Sequence, residues 1–267
     1  MRVPIFQVDA FTDKIFGGNP AAVCPLESWL PTALMQQIAQ ENAVAETAFF
    51  VPFDRASSGQ AFEIRWFTPE IEMDLCGHAT LAAAHVITSH LDKSLSTVQF
   101  QSQSGKLTVE REDKWLTLNF PAREPELLAH APQIILDAFS QKPIEILKSR
   151  DYMLVFETET IIQQMQPDQS LLNQINIDPG GVIVTAQGDS ADFVSRFFTP
   201  QASIFEDPVT GSAHCSLIPY WSQKLGKPSM LAYQLSARGG QLICKSQGDR
   251  VLISGAAKTY LEGYITV

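Results

Sequence analysis

Four short stretches concentrate the residues that can handle protons or anions: 17–20 (GGNP), 45–50 (AETAFF), 76–80 (CGHAT) and 206–213 (EDPVTGSA). Glu46 precedes an apolar run, and it reads either as a last-turn surface residue or as a base whose pKa apolar surroundings raise toward neutrality. Glu41 is the alternative carboxylate, in a more solvated helical context. His78 follows a glycine at a helix entrance, where an imidazole caps the helix, fills the core, or donates to a substrate carbonyl and moves a proton. Cys76 is either a small buried hydrophobe or a helix-entrance thiol of lowered pKa. Asp207 is either a helix cap or a direct participant. The backbone N–H groups along Gly77, Ala79 and Thr80, and those of Thr210, Gly211 and Ser212, can hold a carboxylate with the help of the helix dipole. Gly18 permits a tight turn, and Asn19 aims its amide at a ligand or braces that turn. His85, His90 and His130 have no such context, and His214 reads as structural.

These stretches lie in a chain that repeats itself. The tripeptide FTP occurs at 67–69 and again at 198–200, an offset of 131 residues. Seven positions after each proline stand Cys76 and Asp207, so the two are expected at equivalent points of duplicated halves. Helices are predicted over 31–43, 78–91 and 211–225, with a helix-capable stretch over 160–176. Strands are predicted over 2–8, 20–24, 47–53, 61–67, 97–103, 106–112, 115–120, 152–157, 181–186, 231–236, 240–245 and 250–254. The pattern breaks at PAREPE (121–126), dividing an N-terminal half, 1–120, from a C-terminal half, 121–258. A final strand within 259–267 can return to the first half.

Composition narrows the function classes. Hydrophobic residues make up 45% and charged residues 18%, enough apolar material for a substantial core. The balance of 19 basic against 29 acidic residues gives a net charge of −10, which disfavours nucleic acid as a partner. The four cysteines are scattered, with no CxxC pair and no zinc-like ligand spacing. No apolar run approaches the roughly 20 residues that span a bilayer, and no secretory leader is evident, so a cytoplasmic, membrane-free protein is expected.

The stretches 8–23 (VDAFTDKIFGGNPAAV), 35–50, 64–87 and 205–217 together resemble the PhzF-like family of phenazine-biosynthesis isomerases, a branch of the diaminopimelate epimerase-like fold. The resemblance implies an α/β (α+β) architecture of two pseudo-symmetric halves, each a mostly antiparallel curled sheet around a central helix. It also implies an active site between the halves and a homodimer. By the same resemblance, Glu46 moves a proton within a dihydro-hydroxyanthranilate-like substrate, His78 and Asp207 assist, and the glycines and serines of the two helix entrances hold the substrate carboxylate. Two departures matter. Ala45 stands where the family usually has serine, and Asp207 stands where the epimerases of this fold have a second cysteine. The alternatives are an amino-acid racemase or epimerase using Cys76, and a non-catalytic small-molecule binding protein.

Overall fold

The computed structural model describes residues 1–53, 61–175, 180–200 and 204–267. Residue 176 of the helix-capable stretch and residues 201–203 of the second repeat lie outside them. The chain divides into two compact units, Met1–Phe120 with Leu252–Val267, and Pro121–Val251. Among the described residues no helix is long and apolar enough to cross a membrane.

The first unit contains β1 (Arg2–Ala10), β2 (Asn19–Pro25), α1 (Thr32–Asn42), β3 (Glu46–Pro52), β4 (Ala61–Phe67), β5 (Glu72–Met73), α2 (Gly77–Val86), β6 (Thr97–Ser102), β7 (Gly105–Glu112) and β8 (Trp115–Pro121). Its strands run in the order β1, β2, β3, β4, β6, β7, β8, with β2–β3 and β4–β6 parallel and the other neighbours antiparallel. A late strand, Ala257–Thr266, lies antiparallel along the outer edge of β1. The helix α2 is buried on nearly every side, including Leu81, Ala82, Ala83, Ala84 and Val86. An apolar circumference of small residues is what a helix enclosed by sheet requires. The predicted single helix over 78–91 is in fact α2 followed by a π-helical turn, Ile87–Leu91. A second cluster, of Met35, Ile38, Ala39, Phe49 and Phe67, packs α1 against β3 and β4.

The second unit repeats this plan with different residues. It contains β9 (Glu126–Leu127), α3 (Gln133–Asp137), β10 (Glu145–Lys148), β11 (Tyr152–Val155), α4 (Glu159–Gln164), α5 (Gln169–Leu172), β12 (Val182–Gln187), β13 (Phe193–Phe198), β14 (Glu206–Asp207), α6 (Gly211–Leu225), β15 (Ser229–Gln234) and β16 (Gly240–Gln247). The remaining strands of the chain are β17 (Arg250–Gly255) and β18 (Ala257–Thr266), the late strand beside β1. The pairings β10–β11, β12–β13 and β15–β16 are antiparallel, while β11–β12 and β13–β15 are parallel, the same alternation as in the first unit. The helix-capable stretch resolves into α4 and α5, with Pro167 in the break between them.

Matched details identify the repeat. Arg65 on β4 clamps Glu72 on β5 with two bonds of 2.6 Å. Arg196 on β13 clamps Glu206 on β14 with bonds of 2.7 and 2.9 Å. The amide of Thr68 donates to Ile71 O, and that of Thr199 donates to Phe205 O, both at 2.8 Å. Pro219 sits inside α6 and has no N–H for the Cys215 carbonyl; the Arg123 amide supplies that bond at 2.9 Å.

The expected equivalence of Cys76 and Asp207 is corrected by these landmarks. Cys76 is the N-cap of α2, and the N-cap of α6 is Thr210. Asp207 instead pairs with Phe197 on β13, as Met73 pairs with Trp66 on β4. The connection from β13 to β14 is longer than the one from β4 to β5, so equal spacing from the prolines does not give equal structural positions.

Candidate active site

Asn19, Glu46, Cys76 and His78 converge in the first unit. Asn19 opens β2 and Glu46 opens β3, and these strands run parallel with Ala21 opposite Glu46, so both side chains arise at the same end of the sheet. The β1–β2 connection is tightly specified. Gly18 has φ +61°, and a Cβ there would lie 2.0 Å from the Ala10 carbonyl oxygen. Asp9 Oδ2 accepts from the Phe16 amide at 2.8 Å. This connection delivers Asn19, fully buried, against the first turn of α2.

His78 is the centre of the group. Its Nδ1 lies 3.2 Å from Asn19 Nδ2 and 3.6 Å from Cys76 Sγ. Its Nε2 lies 3.0 Å from Glu46 Oε2. That last contact has ion-pair distance without the direction of a hydrogen bond, and both atoms are buried with no hydrogen-bond partner. Burial alone pushes the imidazole down, but the Cys76 sulfur and the Glu46 carboxylate outweigh it and hold His78 well above its ordinary value. Burial, reinforced by Glu46, pushes the Cys76 thiol up against a smaller opposing pull from His78. Burial thus makes the Cys76 thiol hold its proton more tightly than a solvated cysteine does. This overturns the reading of Cys76 as a helix-entrance thiol of lowered pKa, because full burial outweighs the helix-terminus effect.

The α2 entrance is only partly free. Cys76 makes no side-chain capping bond. Thr80 is fully buried, and its hydroxyl donates to the Cys76 carbonyl at 2.5 Å, so that hydroxyl serves the helix. Ala79 is buried too, while Gly77 is half-buried.

The α6 entrance, in the second unit, is a separate polar network. The Thr210 hydroxyl donates to Asp207 Oδ2 at 2.5 Å. Gln234, buried at the end of β15, accepts from the Thr210 amide at 2.8 Å and donates to the Asp207 carbonyl at 2.8 Å. Ser212 Oγ accepts from Arg150 Nη2 at 2.9 Å. Gly211 is buried as the first residue of α6. His214 is fully buried and donates through Nδ1 to the Thr210 carbonyl at 2.8 Å; burial pushes its pKa down to about 4, fitting the structural role expected of it.

Gln234 and Arg150 escaped the sequence reading. Gln234 stands in an ordinary strand pattern. Arg150 stands in the connection just before β11, and its reach to Ser212 on α6 depends on tertiary structure that the sequence pattern does not display.

A family model described as phenazine biosynthesis-like protein matches residues 8–263. A Pseudomonas aeruginosa protein named as an uncharacterized isomerase is 48% identical over 263 residues, covering 98% of this chain and 98% of its own length. The crystal structure of a phenazine biosynthesis protein of the PhzF family from Enterococcus faecalis matches with TM-score 0.93 and 46% identity, covering 100% of both chains. A predicted epimerase from Pseudomonas aeruginosa shares the fold, with TM-score 0.73 at 20% identity over 99% of each chain.

Proposed function

This chain belongs to the phenazine biosynthesis-like protein family, and we propose that it is an isomerase needing no cofactor, moving a proton within a small carboxylate-bearing metabolite with Glu46 as the acid/base. One observation carries the reading. Glu46 Oε2 and His78 Nε2 are buried 3.0 Å apart, and neither has a hydrogen-bond partner. Buried polar atoms are nearly always paired, and catalytic groups are a recurring reason for the exceptions. A carboxylate facing an imidazolium can take a proton from carbon and return it to another carbon of the same substrate, while positioned N–H groups stabilise the charge that spreads between them. His78 tunes the base and hydrogen-bonds developing oxyanion character. Asp207, its carboxylate held by the Thr210 hydroxyl, assists as a second acid/base.

A two-thiol inversion of an amino-acid α-carbon fits less well. The second helix N-cap is Thr210, and Cys215 Sγ points to the Gly211 carbonyl of its own helix, 3.8 Å away.

The test is proton NMR in D₂O with trans-2,3-dihydro-3-hydroxyanthranilate, alongside Glu46→Gln. The expected outcome is substrate conversion with deuterium incorporation at one carbon, lowered by at least ~10²-fold in the variant, the scale of a general base. Full exchange in a folded Glu46→Gln protein removes Glu46 as the base. No turnover by wild type removes this substrate, and a panel of other unsaturated carboxylates follows.

A further inference from the structure

Glu46, Cys76 and His78 each offer one ligand atom, and these atoms lie within 4.8 Å of one another. We propose that they form a binding site for a borderline-soft divalent cation such as Zn²⁺, and that its occupation switches the proton-transfer site off. The binding half stands on geometry alone; the inhibitory half rests on the reading of Glu46 as the base.

The donor set is selective. Thiolate with imidazole and carboxylate suits Zn²⁺ or Co²⁺, whereas Mg²⁺ and Ca²⁺ seek oxygen. Tetrahedral bonds of about 2.0 Å to nitrogen and oxygen place those atoms about 3.3 Å apart. The His78 Nε2 to Glu46 Oε2 separation is already 3.0 Å. The Cys76 sulfur, within 4.8 Å of the other two ligand atoms, is the third donor, and the fourth position is left to water. The His78 side chain is held in place at 5% exposure, with its Nε2 unpartnered and turned toward Glu46. Metal binding takes the sulfur as thiolate and Nε2 without a proton, so protons held there pass to solvent, and thiolate plus carboxylate balance the charge of the cation.

The duplication provides an internal contrast. Ladder register matches Thr47, opposite Phe67, to Val182, opposite Phe198. The second-unit counterparts of Glu46, Cys76 and His78 are thus Gly181, Thr210 and Ser212. None offers a soft ligand or a charge, so the cluster is not a by-product of the shared fold.

The experiment is calorimetric titration of chelator-treated protein with Zn²⁺, and absorption with Co²⁺. One cation per chain is expected at micromolar affinity or tighter, with buffer-dependent heat reporting proton release and a thiolate-to-Co²⁺ charge-transfer band. Cys76→Ser should abolish that band and weaken Zn²⁺ by about 100-fold, and Glu46→Gln should weaken it at least ~10-fold, with circular dichroism checking the fold of each. Absence of stoichiometric binding to wild type, or a Co²⁺ band that survives Cys76→Ser, overturns the site. Stoichiometric, Cys76-dependent binding that leaves isotope exchange unaffected keeps the site and removes the inhibitory half. In that case Glu46→Gln kinetics decide the base separately.

Discussion

Replacing Arg196 by methionine separates the two clamps of the repeat. Arg196 is 8% exposed, and it makes two bonds to Glu206 and two more to the carbonyls of Ile162, at 3.1 Å, and Met165, at 2.7 Å. Arg65 makes the same bidentate bond to Glu72, but its further bond, of 3.1 Å, goes to the Thr32 hydroxyl near solvent, and its side chain is 23% exposed. Removing one partner of a buried pair costs about 3–5 kcal/mol. Glu206 is 22% exposed and recovers some hydration. The Met165 carbonyl loses this donor while Ile162 O keeps the Met165 amide at 3.4 Å, adding roughly 1 kcal/mol, so Arg196→Met should cost about 3–4 kcal/mol. Arg65→Met should cost about 1–2 kcal/mol, because water replaces most of what is lost. Adding Glu206→Met to Arg196→Met should recover part of the loss, since no charge is then stranded. Urea unfolding by circular dichroism gives the totals, and hydrogen exchange of peptides from β12 and β13 localises the second-unit effect. An Arg65→Met cost equal to or above that of Arg196→Met would refute the reasoning.

Acid should weaken the fold in a defined window. Burial, helped by His90, Arg111 and Lys258, pushes His85 down to about 4, and burial pushes His214 down to about 4 against a smaller pull from the Thr210 carbonyl. Both folded values lie below the ordinary histidine value of about 6.5, so the unfolded chain binds the protons first. Stability is complete above that value and is lost as pH falls toward 4, by about 2 kcal/mol per histidine at pH ~5. His214→Asn, whose amide can still donate to Thr210 O, should flatten the fall in melting temperature between about pH 7 and 5; an unchanged slope excludes His214 as a source. Gly18→Ala should cost more than ~3 kcal/mol, because a left-handed φ coincides with a collision against backbone. Gly226→Ala, also left-handed at φ +67° but in open space, should cost only about 1 kcal/mol, and thermal melts of the pair test the distinction.

The repeat was legible because FTP marks a strand end that both units keep. Each Phe of the pair, Phe67 and Phe198, is buried in its unit's core and tolerates little change. The Arg65–Arg196 pair shares the same 131-residue offset, a signal that a longer self-comparison would have registered. Loop length was the misleading part: counting from Pro200 assigned Asp207 the place that belongs to Thr210. A connection adds residues without disturbing the ladder at either end, so spacing across it carries little information. Glu46 and His78 could be named from their motifs, but their contact could not, because it depends on β3 register and on which face of α2 meets the sheet. The thiol of Cys76 illustrates the limit further. Its helix-entrance position suggested a lowered pKa, and only its burial reverses the direction.

The pairing of β18 with β1, from Arg2 opposite Thr266 to Ala10 opposite Ala257, sets the order in which the chain can fold on the ribosome. The second unit is one continuous segment, Pro121–Val251, and all of it is synthesised before β18 exists. At 5–20 residues per second, β1 waits roughly 10–50 s with its outer edge unpaired. The unit that comes second in sequence is therefore the first that can be finished. Over the same interval the nascent first unit offers an open strand edge to chaperones, or to other copies of itself.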